Sequence, residues 1–142
     1  MSTRALIAVK KANGGYTTAW NWSDGGEELF EKLNEYFMDR TSIEEILEMH
    51  SFACIMTEEE KDDYDNINKA NGISEAVLKD DKWTKLSNGL LVLSRPHHGK
   101  VVDGGEPDGH FDSIEDMLGC DVNYVYVFDR GGNGRWSRHS YI

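Results

Sequence analysis

At 142 residues the chain is long enough for one domain, 1–142, with a single core that needs no disulfide or metal staple. Its formal charge of −11 sets it against nucleic acid and anionic membrane, both of which an acidic field repels. The charge is concentrated: residues 24–81 hold 18 Asp and Glu against 5 Lys and Arg, residues 1–23 hold 3 basic groups and no acidic ones, and residues 82–142 hold 7 basic against 8 acidic.

Thr3 to Lys10 alternates Ala5, Ile7 and Val9 against Leu6 and Ala8, and Tyr16 to Trp22 alternates in the same way. Asn13-Gly14-Gly15 between them supplies the positive φ angles of a hairpin turn. A helix is predicted from Ser23 or Asp24, with Leu29, Phe30, Leu33, Tyr36 and Phe37 on one stripe and Glu27, Glu31 and Glu35 stacked at i, i+4 on another. Thr41-Ser42-Ile43-Glu44 has the form of a capping box opening a second helix, in which Ile43, Ile46 and Leu47 pack and Glu44, Glu45 and Glu48 face water.

Thr57-Glu58-Glu59-Glu60 repeats the capping signal after the apolar block Phe52 to Met56. The following stretch to Asn71 offers only Tyr64 and Ile67 for burial, which predicts a marginal helix or a solvated excursion. Trp83 to Leu86, the turn Ser87-Asn88-Gly89 and Leu90 to Ser94 form a second hairpin; Arg95 to Gly109 is loop by composition; Asp112 or Ser113 caps a short helix, Ile114 to Leu118. Tyr124 to Phe128, the loop Asp129 to Gly134 and Arg135 to Ile142 make a third hairpin with Tyr124, Tyr126 and Phe128 on one face. The expected fold is α+β: an antiparallel sheet built from the N- and C-terminal hairpins, with helices packed on one face.

Cys54 and Cys120 have no CxxC or metal-ligand spacing and fit buried thiols in a reducing compartment. No apolar run spans a bilayer and residues 1–15 carry no signal-peptide core, so the expected location is the cytoplasm.

The two ends carry a resemblance. Met1-Ser2-Thr3-Arg4 leading into a short strand, Trp22-Ser23-Asp24-Gly25 before a Leu/Phe helix, and Tyr124-Val125-Tyr126-Val127-Phe128 before a Gly-rich turn and Trp136 resemble a group of small, mostly uncharacterised proteins of bacteriophages and bacterial mobile elements, over residues 1–37 and 123–142. The resemblance implies a His-aromatic-Asp-Gly-Tyr-Pro stretch where this chain has Asn21-Trp22-Ser23-Asp24-Gly25-Gly26. It implies no established activity. It does imply a phage or mobile-element setting, in the host bacterial cytoplasm, where small acidic proteins block host defence factors.

Several patterns carry possible chemistry. Gly104 to Glu115 follows part of a calcium-loop template, with Glu106, Asp108, Gly109, Phe111, Asp112 and Glu115 in place but Gly104 where the first ligand belongs, which favours an ordinary loop over a site. His97, His98, Asp103, His110 and Asp112 lack HxH or HExxH spacing, and a His97 or His98 base paired with Asp103 has no nucleophile motif beside it. A metal-dependent hydrolase is therefore the third choice, and no cofactor or metal is expected. Arg130, Arg135, Trp136 and Arg138 concentrate basic and aromatic groups around a Gly-rich turn, which makes a small-ligand or nucleotide module the second choice.

First-turn glutamates such as Glu44, Glu45, Glu58, Glu59 and Glu60 favour the helix dipole, but Glu27, Glu31 and Glu35, with Asp62, Asp63 and Asp65, are left without that explanation. The leading expectation is thus a non-enzymatic interaction protein that uses Glu27, Glu31, Glu35, Glu44, Glu45 and Glu48 to bind a basic protein surface, that of a nucleic-acid-binding host factor, with no direct contact to nucleic acid or membrane.

Overall fold

The computed structural model describes residues 3–12, 14–72, 82–94, 96–97, 100–101, 110–120, 122–129 and 134–140. In chain order the first elements are β1 (Ala5–Lys10), β2 (Tyr16–Asn21), α1 (Glu27–Tyr36), α2 (Arg40–Glu48), β3 (Ser51–Phe52), β4 (Cys54–Met56) and α3 (Glu58–Ala70). There follow β5 (Lys82–Lys85), β6 (Leu91–Ser94), β7 (Pro96–His97), β8 (Lys100–Val101), β9 (His110–Phe111), α4 (Ile114–Leu118), β10 (Tyr124–Phe128) and β11 (Trp136–His139).

β1 buries Ala5, Ile7 and Val9 on one side and Leu6 and Ala8 on the other, the mark of a central strand covered on both faces. It pairs antiparallel with β2 and parallel with β10, and β11 closes the second hairpin, giving the order β11-β10-β1-β2-β3 with β9 also on β2. The two terminal hairpins therefore share one sheet, as expected, and the fold is α+β. Their junction is parallel, so the sheet is mixed. The long connection through the helices returns the chain to the end from which β1 started, as a parallel pair requires.

α1 and α2 cover one face through Leu29, Leu33, Ile43 and Ile46, with Phe37 between them; each such side chain contributes about 1.5–3 kcal/mol on burial. The short α4 covers the opposite face, where Met117 is fully buried against Leu6, Ala8, Val125 and Val127, so helices lie on both faces of the sheet rather than on one as expected. At Ala53, whose N–H donates to Leu93 O at 2.8 Å, the apolar block changes sheets: β3 lies beside β2, and β4 joins β6 and β5 in a second, three-stranded sheet. Phe52, Ile55, Leu86, Leu90 and Val92 belong to the same core as the α1/α2 face, which joins the two sheets in one cluster. Among the described residues no helix is long and apolar enough to cross a membrane.

Three helix expectations need correction. α1 starts at Glu27, later than Ser23 or Asp24, because the preceding turn lies flat against β1: Gly25 N donates to Thr3 O at 2.8 Å, and a Cβ on Gly25 would stand 2.7 Å from Ala5 Cβ. α2 does not use the Thr41 box; Asp39 is its N-cap and accepts from Ser42 N at 3.0 Å, and hydrogen bonds from the Ser42 side chain and backbone hold the exposed Asp39 carboxyl below its usual range. α3 is a full helix of 13 residues. Its Thr57/Glu60 capping box is complete, Lys61 pairs with Asp65 at 2.7 Å, and Tyr64 meets Trp83 edge-on at 5.9 Å. Asn68 is buried in place of Ile67, which is 59% exposed.

The turn residue Asn13 lies outside the described residues, as does most of the loop expected over 95–109. Within that stretch Pro96–His97 pairs with Lys100–Val101, and beyond it His110–Phe111 pairs with Tyr16–Thr17.

Candidate functional site

The stripe Glu27, Glu31 and Glu35 stands outward on α1, opposite Leu29 and Leu33, and Glu28 is exposed beside it. Because α1 starts at Glu27, Glu27 and Glu28 lie in its first turn, where the helix dipole favours them, contrary to the expectation for Glu27; Glu31 and Glu35 lie beyond that turn. Among the described residues none of these four carboxylates has an ion-pair partner. Between α1 and the first turn of α3 lies a groove of about 300 Å³ walled by Glu28, Glu31, Glu35, Tyr36 and Glu60. Lys32 forms part of its lining, with 12% of its side chain exposed, and its Nζ donates to Glu60 Oε2 at 3.1 Å. The other Glu60 oxygen accepts from Thr57 N at 2.9 Å. Partial burial pushes the Glu60 carboxyl up, but the Thr57 N–H and the Lys32 ammonium outweigh it and hold the group below its usual range. The groove can accept an ammonium or guanidinium group; a nucleophile beside a base is not part of it.

The α2 glutamates have other surroundings. Glu45 accepts from Ser87 N at 3.1 Å and from Ser87 Oγ, so it ties α2 to the β5–β6 turn and is not available to a partner. Glu44 pairs with Arg40 at 2.8 Å and lines a different cavity with Lys10 and Asp129; Glu48 is exposed. The acidic surface thus runs from α1 to α3 and takes in Glu28 and Glu60. The capping box locates Glu60 at the start of α3, but its pairing with Lys32 spans 28 residues, beyond any local spacing rule.

The arginine hairpin is not a single ligand cluster. Trp136 is 4% exposed, meets Phe128 edge-on at 5.3 Å and donates from Nε1 to Phe37 O at 2.9 Å, so it cannot stack on a base. Arg138 lies over the rings of Phe30 and Tyr124, 5.8 Å from each centroid, and Tyr126 stacks on both of these rings, on Phe30 at 5.3 Å and on Tyr124 at 5.9 Å. Arg135 is exposed, and Arg130 lies outside the described residues. Trp20 packs on the α4 face and Trp22 against the second sheet.

Of the metal candidates, His98, Asp103, Gly104, Glu106, Asp108 and Gly109 lie outside the described residues, and His97 and His110 are described only as strand positions. Among the described residues no group of three or more His, Cys, Asp or Glu could hold a metal ion. Asp112 is exposed, and Ser113 rather than Asp112 caps α4, accepting from Asp116 N at 3.1 Å. Cys54 is buried and Cys120 half-buried, neither in a disulfide; burial and the nearby Asp116 push the Cys120 thiol up.

Comparison of the chain with family models, with curated proteins and with solved structures finds no match.

Proposed function

We propose that this is a non-enzymatic interaction protein whose α1 face, Glu27, Glu28, Glu31 and Glu35 extended by Glu60, occupies a basic protein surface of the kind that binds nucleic acid. By covering that surface it inhibits its partner. The observation that carries this reading is that, among the described residues, the four α1 carboxylates have no ion-pair partner, on a helix anchored by Leu29 and Leu33. Repulsion within such a stripe costs about 0.2–0.5 kcal/mol per i, i+4 pair, and a basic partner relieves it. The resemblance of the terminal hairpins to phage and mobile-element proteins supports a host defence factor as the partner, in the bacterial cytoplasm.

The test is capture from bacterial lysate on immobilised protein, with elution by rising salt. Basic nucleic-acid-binding proteins should be retained and released as the ionic strength screens the contact. Retention that survives high salt, or that selects acidic proteins, would rule the reading out.

A further inference from the structure

At the carboxyl ends of the parallel neighbours β1 and β10 the sheet opens into a cavity of about 710 Å³, bounded by α2 and the start of β2. Crevices at the carboxyl ends of parallel strands are recurrent ligand sites, and this volume lies within the usual range for small-molecule pockets. Val9 and Leu47 supply its apolar lining, and Lys10, Lys11, Thr17, Glu44 and Asp129 its polar lining. A second cavity of about 370 Å³ adjoins the same end of β10 and the same turn of α2; it is lined by Met38, Arg40, Ile43, Phe128 and Gly134. Met38, 41% exposed, is one of two large exposed apolar side chains among the described residues.

The charges around the two cavities are Lys10, Lys11 and Arg40 against Glu44 and Asp129. Glu44 is met by Arg40 at 2.8 Å and Asp129 by Lys10 at 3.7 Å. The Lys10–Asp129 pair is long and exposed at both ends, 46% and 42%, so it contributes little and exchanges readily for a ligand anion. The cavity draws its lysines from residues 1–23, which hold no acidic group, while residues 24–81 repel anions over much of the remaining surface.

We propose that the paired cavities bind a small anionic ligand with an apolar or aromatic body, of mononucleotide size. The anionic group lies at Lys10, Lys11 and the Thr17 hydroxyl, and the body lies against Met38, Ile43 and Phe128. This site is separate from the α1 face and stands or falls independently of the proposed inhibitory contact.

The probes are ATP, GTP, CTP and UTP, with tripolyphosphate as the anion alone and adenosine as the body alone, followed by thermal shift and calorimetry. A nucleoside triphosphate should raise the melting temperature in a concentration-dependent way, because it binds only the folded state, and tripolyphosphate should bind more weakly. Lys10→Gln with Lys11→Gln, assayed by calorimetry below its own melting transition, should weaken nucleotide binding by about tenfold or more. Met38→Glu, at an exposed position, should weaken nucleotide binding and spare tripolyphosphate. Absence of binding by all four nucleotides at roughly 1 mM, or binding that both variants leave intact, would overturn the proposal.

Discussion

The phenolic oxygen of Tyr126 lies 2.6 Å from the carbonyl oxygen of Gly25 and 3.0 Å from that of Gly26, joining the middle of β10 to the turn that feeds α1. The hydroxyl donates, and Phe30, one turn into the helix, stacks on the same ring. A single side chain thus sets where α1 leaves the sheet, and with it the direction in which Glu27, Glu31 and Glu35 point. Tyr126→Phe keeps the ring stack and leaves buried carbonyl oxygen unpaired, so it should cost about 1–3 kcal/mol in urea unfolding.

Burial, with Tyr124 and Glu27 adding to it and Arg138 opposing, pushes the Tyr126 phenol well above its ordinary value of 10.0. Above that value the unfolded chain loses this proton while the folded one keeps it, so stability should fall as pH rises. Tyrosinate absorbance should show one phenol ionising only with alkaline unfolding, and Tyr126→Phe should flatten the alkaline loss of stability. Ionisation of every tyrosine in the folded protein would contradict this.

Asn21 is fully buried, accepts from Asp24 N at 3.1 Å and donates to Asp24 O at 3.2 Å, closing the turn that places Gly25 against Ala5. At this position the sequence resemblance leads one to look for a histidine; the asparagine has a structural role. Asn21→Ala should destabilise by about 1–3 kcal/mol, read from the urea midpoint.

His50 has φ 60, follows the C-cap of α2, and its carbonyl accepts from Trp20 N at 2.7 Å. A side chain in this left-handed conformation costs about 1–2 kcal/mol, partly offset on substitution by the greater chain entropy of glycine. His50→Gly should therefore raise stability by about 0.5–1 kcal/mol; a loss of stability would show that the imidazole makes a contact of its own.

The six strands of the three hairpins were legible because period-two alternation and the Gly14, Gly89 and Gly134 turns are local signals, and their φ values of 86°, 88° and 66° match. The two- and three-residue strands β3, β4, β7, β8 and β9 are too short to show alternation, and β7 and β8 fall in a stretch read as loop. Of two similar capping signals only Thr57/Glu60 is used, because Asp39, a stronger cap just upstream, starts the helix at Arg40 and leaves Thr41 inside its first turn. The bonds that decide the candidate site are long-range: Glu45 to Ser87 across 42 residues, Lys32 to Glu60 across 28 and Trp136 to Phe37 across 99. Composition marks those residues as charged or aromatic, but only tertiary packing separates an available carboxylate from an engaged one.

Glu60 gives a pH test of the α1–α3 junction. Its folded carboxyl is held below the ordinary value of 4.5, so its contribution is present above that value and is lost as pH falls through the lower folded one. Melting temperatures between about pH 6 and about pH 3 should fall less steeply in Glu60→Gln than in the parent. Equal slopes would mean that Lys32 and Thr57 do not favour the charged form.

The central claim is tested most directly by the association kinetics of Glu27→Gln with Glu31→Gln and Glu35→Gln against the captured partner. Glutamine keeps helix propensity, so melting should be unchanged or slightly higher. At about 50 mM salt the on-rate should drop by about tenfold relative to the parent, and the two proteins should converge near 500 mM. Equal on-rates at low salt would show that the stripe is only a solvated helix face.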